Sequence, residues 1–525
     1  MFHKRPKVAM MLALSTPMIV LAGCGVAPTA FLPGGGGASG GASEGFVGHV
    51  PNLTAQEPTL EPGTVGYKIH VNQVTHAANS FVLATNRNHT TDYFPNGNAK
   101  LAKLKELRPS WGQGKYMYRL GHGPTDGRQD YDYMTGYHFE KHWDKNGSYP
   151  YDDIRNGLKE ANDLGAEQLH VVNFGTSDAQ EAARYVSYLN NPDDANRKAH
   201  PYPVQGVKYF ELGNEISWSM VRGHSQYAAN ETQYAKRAKE FAQAMRKASP
   251  TPIKIGAVAS TNSNFRWDGG GAEGEVVKNI LQNMGQDVDF LIYHGYPSWP
   301  LKNEGDLKTL MAQNAWNDRL ITDKIEPTIK QYASHPVQLA NTEFFTEQYN
   351  NANQARGLFG ALYSADTVTL ALNHNMLVAN QFCFDHGEAA DAAFFYGGDA
   401  NRVTPIFMFQ QMLSKHWGDQ QVKVTPQGIP TTKVSDLSMP NLAITASKGR
   451  DGKVYVMVTN RTEHQAVSAK LAMGFTPKQA TAYQLTGTAG WNSGEGQVKM
   501  ETKAANLSGA YSFPAASVTI LEVTP

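Results

Sequence analysis

The sequence has no excess of charge in either direction: Lys and Arg together number 47, and Asp and Glu also number 47. A chain built to hold nucleic acid needs a basic surface that displaces counterions, so that class of partner is disfavoured and a neutral partner fits better. No candidate strand runs directly into a Gly-x-Gly-x-x-Gly turn, which argues against a dinucleotide cradle. Asp126, Asp130 and Asp132 gather in one loop but lack the EF-hand pattern, so sugar contact suits that loop better than calcium. Cysteine is nearly absent, with Cys24 and Cys383 the only two. No internal repeat is present beyond an alternation of strand and helix patterns.

The first 50 residues are not fold material. Lys4, Arg5 and Lys7 precede an apolar run from Val8 to Leu21, shorter than the ~20 residues a membrane-spanning helix needs. The run ends at Leu21-Ala22-Gly23-Cys24, which resembles the lipobox of bacterial lipoproteins. That resemblance implies removal of residues 1–23 as a signal peptide, lipidation of Cys24 and an extracytoplasmic, membrane-anchored protein; an ordinary signal peptide with an incidental cysteine is the alternative. With Cys24 acylated, no intramolecular disulfide is available and stability has to come from the core. Cys383, in Asn380-Gln381-Phe382-Cys383-Phe384, reads as a buried small hydrophobe. Residues 24–50 include Pro33-Gly34-Gly35-Gly36-Gly37 and read as a flexible tether.

From residue 51 to about 415, short apolar runs alternate with helical patterns. Candidate strands are Gly66–Val71, Lys115–Leu120, Gln168–Phe174, Val207–Leu212, Ile253–Val258, Val288–Tyr293, Val337–Asn341 and Met376–Phe382. Ser177-Asp178-Ala179-Gln180 has capping-box spacing ahead of one helix, and Tyr234–Lys247 and Asp318–Ala333 read as others. Eight such alternations predict an α/β fold, a (β/α)8 TIM barrel. Residues 416–525 change character, with Leu442–Ala446, Val454–Val458, Ala480–Leu485 and Ser517–Val523 separated by turns. They predict a C-terminal antiparallel β-sandwich, with strands from residues 50–64 as candidates to join it.

In such a barrel the chemistry lies at the C-terminal ends of the strands. The residues ending the runs are Arg119, Asn173, Asn214-Glu215, His294 with Tyr296, and Glu343. Glu215 and Glu343 would face each other across the barrel mouth, the pairing that glycoside hydrolysis uses: one carboxyl protonates the leaving oxygen and the other attacks the anomeric carbon. Arg119 and Tyr296 are placed to donate to Glu343 and keep it ionised, and Asn214 to bind a sugar hydroxyl. Asn303-Glu304, which follows no strand, shows that Asn-Glu alone carries little weight. Glu211 reads as a supporting or buried, paired residue, and Glu347 competes with Glu343. Trp299 is a candidate to stack on a sugar ring. This chemistry calls for no cofactor and no metal.

Gly213-Asn214-Glu215 after a strand, His294-Gly295-Tyr296 and the strand-end Glu343 resemble the clan A glycoside hydrolases. Val172-Asn173-Phe174-Gly175-Thr176 and Tyr209-Phe210-Glu211-Leu212-Gly213-Asn214-Glu215 resemble, more closely, the α-L-arabinofuranosidase family, family 51. The resemblance covers roughly residues 65–525. It implies a retaining hydrolase with Glu215 as acid/base, Glu343 as nucleophile, and Asn214 and Tyr296 beside them. Where the family carries a Trp-Pro-Gly-Gly-Asn-like turn, this chain has Leu120-Gly121-His122-Gly123-Pro124, and Glu343 stands in Asn341-Thr342-Glu343-Phe344-Phe345 rather than Asp-Glu-Trp. A β-xylosidase or endo-β-glucanase is the alternative within the clan; a non-catalytic carbohydrate-binding lipoprotein is the alternative of another class.

Overall fold

A computed structural model describes residues 49–87, 97–120, 154–175, 177–199, 206–217, 230–260, 274–297, 307–346, 355–384 and 393–525. The signal-peptide segment, Cys24, nearly all of the tether, the loop with Asp126, Asp130 and Asp132, Trp299 and Glu347 lie outside the described residues. Among the described residues no helix is long and apolar enough to cross a membrane.

The first strand, β1 (Gly66–Ala77), alternates strictly at its start: Tyr67, Ile69 and Val71 are buried in one apolar core. That period-2 pattern is the mark of a strand with one buried face. β1 therefore does not open the barrel, as its position in the sequence suggested. It pairs antiparallel with β10 (Gln420–Gln427) and parallel with β15 (Val467–Ala472), inside the C-terminal sheet.

The barrel opens instead with β2 (Ala84–Asn86), followed by β3 (Met117–Leu120), β4 (Glu167–Val172), β5 (Tyr209–Leu212), β6 (Lys254–Val258), β7 (Phe290–His294), β8 (Gln338–Phe344) and β9 (Ala379–Gln381). These eight close into a barrel, and every neighbouring pair is parallel. Seven of them fall on the expected runs. Successive side chains on a strand point to opposite faces, and the barrel sorts them accordingly. Met117, Leu169, Tyr209, Phe290 and Ile292 fill an apolar layer in the interior, while Tyr118, Phe210, Leu212 and Leu291 pack outward into the main core with the helices. One step further along, the same inward phase delivers Arg119, Glu211 and His294.

The helices follow their local signals with two adjustments. Asp178, not Ser177, caps the helix Ala179–Asn190, accepting from the amides of Gln180 and Glu181. The stretch expected as one helix over 318–333 is three: Leu307–Leu320, a π turn Ile321–Ile325 and Glu326–Tyr332.

The remaining strands are β11 (Thr431–Val434), β12 (Leu437–Pro440), β13 (Leu442–Lys448), β14 (Val454–Asn460), β16 (Gln479–Gly487), β17 (Val498–Ala504), β18 (Ala510–Phe513) and β19 (Ser517–Thr524). One sheet of nine strands runs β17-β16-β19-β14-β13-β10-β1-β15-β18, and β11 and β12 form a separate hairpin. Residues 50–60 contribute no strand; Leu53 and Ala55 pack on the sheet's core and Gln56 donates its amide to Gly474. Strand β14 divides its side chains between two cores: Val454, Val456 and Val458 face the sheet's own interior, while Tyr455 and Met457 join the barrel's core.

Candidate active site

Each side chain of the site is placed by a strand end. After β5 the chain turns through Gly213, at φ 82°, and Glu215, at φ 49°, both in the left-handed region. Gly213 has no room for a side chain, since a Cβ there would stand 2.4 Å from Cδ1 of Ile216. Glu215 has no such excuse, and a non-glycine residue held at positive φ stores a modest strain of the kind found at functional positions. The turn aims its carboxyl into the barrel mouth.

Glu343 arrives differently. The strand expected to stop at Asn341 continues to Phe344, and a register shift between Tyr293 and His294 sets His294 opposite Glu343. Such an irregularity re-aims a side chain without ending the strand. Glu215 and Glu343 are each only 5 % exposed.

A hydrogen-bond network joins the expected residues. His294 Nδ1 lies 2.8 Å from Glu215 Oε1 and 3.6 Å from Glu343 Oε2. Glu343 accepts from Arg119 Nη1 at 2.7 Å and from the Tyr296 hydroxyl at 3.0 Å. Arg119 turns its other face to Glu211, donating from Nε and Nη2 at 2.9 Å each, and Nη2 also donates to Asn214 Oδ1 at 2.8 Å. Arg119, Glu211 and Asn214 are all buried. Asn173 is buried too, directly after β4 on the same rim.

Two residues not named among the candidates hold the turn carrying Tyr296. Asn341 Oδ1 accepts from the Gly295 amide at 3.1 Å, and the Tyr363 hydroxyl donates to the Gly295 carbonyl at 2.6 Å. A Cβ at Gly295 would meet Asn341 Nδ2 at 2.4 Å, so the glycine is required for this closure. Asn341 ends the expected run Val337–Asn341 and so shares the strand-end signal, although the strand continues past it, whereas Tyr363, mid-helix, carries no such signal.

The electrostatics separate the two carboxyls. Burial raises the pKa of Glu215, and the Glu343 charge adds to the rise, against the pull of His294 and Arg119. Glu343 has both oxygens supplied with donors, one of them a guanidinium. Burial opposes a charge on His294, yet the Glu343 and Glu215 carboxylates outweigh it and hold its pKa above the ordinary value. The Arg119 charge is likewise kept against burial by Glu211 and Glu343. One carboxyl is thus inclined to keep a proton and the other is surrounded by donors, the division of labour that acid-and-nucleophile chemistry needs.

Glu215, His294 and Glu343 offer ligand atoms all within 4.8 Å of one another, close enough to converge on a metal ion. A guanidinium 2.7 Å from Glu343 works against a cation there, whereas a proton shared between Glu215 and His294 suits the geometry.

No family model matches the chain. In sequence it is 25 % identical over 361 residues to the exo-α-(1→6)-L-arabinofuranosidase of Bifidobacterium longum, covering 61 % of this chain and 66 % of that enzyme, a little under two thirds of its length. It is 24 % identical over 405 residues to the probable α-L-arabinofuranosidase C of Aspergillus clavatus, covering 68 % of this chain and 74 % of that one. In fold it matches the GH51 arabinofuranosidase from Xanthomonas axonopodis pv. citri with a TM-score of 0.70 at 18 % identity, over 88 % of this chain and 100 % of that one. The α-L-arabinofuranosidase of Thermotoga maritima, solved with arabinose, matches with a TM-score of 0.66 at 19 % identity, over 88 % and 100 %. The chain is thus distantly similar in sequence to α-L-arabinofuranosidases and shares the fold of the GH51 enzymes, with a carboxyl pair at the mouth of its barrel.

Proposed function

We propose that the chain is a retaining hydrolase of the α-L-arabinofuranosidase type, acting on an oligosaccharide or polysaccharide. The observation that carries the reading is how closely the two carboxyls approach: one oxygen of Glu215 and one of Glu343 lie within 4.8 Å of each other, with His294 Nδ1 2.8 Å and 3.6 Å from the two carboxyls. A retaining pair stands about 5–5.5 Å apart, and an inverting pair needs about 6.5–9.5 Å to admit a water between them. In this mechanism Glu343 attacks the anomeric carbon and forms a glycosyl ester as Glu215 gives its proton to the departing oxygen. Glu215, now a carboxylate, takes a proton from water, whose oxygen displaces Glu343 from the sugar. The cycle ends with the proton back on Glu215 and Glu343 ionised. His294, 2.8 Å from Glu215, is placed to steady that carboxyl in both states. The sugar is inferred from the arabinofuranosidase names of the sequence relatives.

The test is hydrolysis of a panel of aryl glycosides that includes 4-nitrophenyl α-L-arabinofuranoside, with the first-formed anomer read by NMR. Wild type is expected to cleave the arabinofuranoside with retention. Glu343→Ala and Glu215→Ala are each expected to lose about 10²–10⁴-fold or more in kcat. An inverted first product sinks the retaining mechanism, and preference for another sugar sinks the arabinofuranosidase assignment.

A further inference from the structure

Arg119 has one positive charge and two buried carboxylates to share it with. Its Nη1 donates to Glu343 at 2.7 Å, while Nε and Nη2 grip both oxygens of Glu211 at 2.9 Å each. The guanidinium and Glu211 are fully enclosed, with 0 % of either side chain exposed. Water therefore does little to screen the pair, and a bidentate grip fixes the plane of the guanidinium. That plane decides where Nη1 meets Glu343 and where Nη2 meets Asn214.

We propose that Glu211 is a positioning and charge-balancing residue for this hydrolase: through Arg119 it orients Glu343 and sets the pH window in which the Glu215–Glu343 pair works. The proposal rests on the carboxyl-pair mechanism above. The surroundings of Glu211 leave few other groups to do this. Its register neighbours are Val171 on β4 and Gly256 on β6, neither of them titratable. From β3 it faces Arg119, and from the helix Glu231–Ala248 it is felt by Tyr234, whose hydroxyl is spent between the Leu212 carbonyl and the Val258 amide. Across Arg119 lie Glu343, and beyond it His294 and Glu215.

The sign of the effect follows from charge alone. Activity requires Glu343 ionised, which sets the acidic limb, and Glu215 protonated, which sets the basic limb. With Glu211 neutralised, the Arg119 charge falls wholly on the remaining carboxyls and favours the ionised form of each. Both limbs of the kcat/KM profile then move to lower pH.

The experiment compares Glu211→Gln and Glu211→Asp with wild type on whichever aryl glycoside wild type cleaves. Glu211→Gln keeps the shape and loses the charge, and its whole profile is expected about one pH unit lower. Glu211→Asp keeps the charge on a shorter arm; its limbs are expected to stay in place while kcat falls at least tenfold with little change in KM, as Glu343 slips from alignment. A folded Glu211→Gln with unmoved limbs overturns the proposal. So does a Glu211→Asp enzyme with wild-type kcat and only a lower melting temperature, which keeps the idea testable if Glu211→Gln does not fold. Wild type inactive on every glycoside would instead remove the mechanism on which the proposal rests, before either variant is read.

Discussion

At the scale of single residues, the site depends on backbone as much as on chemistry. Gly213 at φ 82° is followed two residues on by Glu215 at φ 49°, and Ile216 Cδ1 fills the space where a Cβ would go. Gly213→Ala is therefore expected to cost about 2–4 kcal/mol, from a left-handed alanine plus an overpacked contact. The denaturant midpoint measures it, and activity per folded molecule should fall as well, because the turn that aims Glu215 shifts. An alanine variant with wild-type stability and turnover would mean that the turn is not strained. The site residues were mostly legible because they end apolar runs, and Arg119, Asn214, Glu215, His294, Tyr296 and Glu343 do come together. Tyr363 leaves no trace in the sequence because it holds the Gly295 backbone from mid-helix, while Asn341, at the end of an expected run, has the position but not the carboxylate or ring that marks the other candidates.

At the scale of elements, the π turn Ile321–Ile325 is clasped from both sides by one ring. His374, at the end of the helix Leu358–Asn373, places Nε2 2.8 Å from Asp318 Oδ1 and Nδ1 2.8 Å from Glu326 Oε1. Both nitrogens can donate only when the ring is protonated. Burial works against that charge, but the two carboxylates prevail and carry its pKa up to about 9. The folded value thus lies above the unfolded one, so the clasp stabilises fully below about pH 6.5 and is lost as pH rises through about 9. Asp318 and Glu326 are 60 % and 47 % exposed, so water screens the clasp and about 1–2 kcal/mol is the expected loss. Denaturant titrations of wild type and His374→Gln at pH 6 and pH 10 should show the gap between them closing; a constant gap would rule the clasp out as the cause. Gly66–Val71 reads as one more apolar run of the barrel alternation, yet the alternation of Tyr67, Ile69 and Val71 is that of a sheet with one face in its own core. The true first strand, Ala84–Asn86, has three residues, too few for any periodicity to stand out.

At the scale of the whole molecule, barrel and sheet share material. Tyr455 and Met457 of β14, with Val518 and Ile520 of β19, belong to the barrel's core, and Asp366 of a barrel helix forms a buried ion pair with Arg461 just beyond β14. Wild type is expected to unfold in one calorimetric transition for this reason. A chain beginning at residue 78 lacks the strand between β10 and β15, and is expected to yield no folded barrel, judged by the absence of a cooperative endotherm. A folded, active 78–525 would show the two bodies to be independent. The position of β1 also has a bearing on how the chain assembles in time. Its register partner for Tyr67 is Pro426, some 359 residues later, so the segment leading into the barrel waits for its place until nearly the whole chain has been made. Closing so large a loop is slow, and until it closes the apolar face of β1 is open to strands of other chains. Yield of active enzyme should thus depend on what keeps an early strand solitary during synthesis, more than on the chemistry at the barrel mouth.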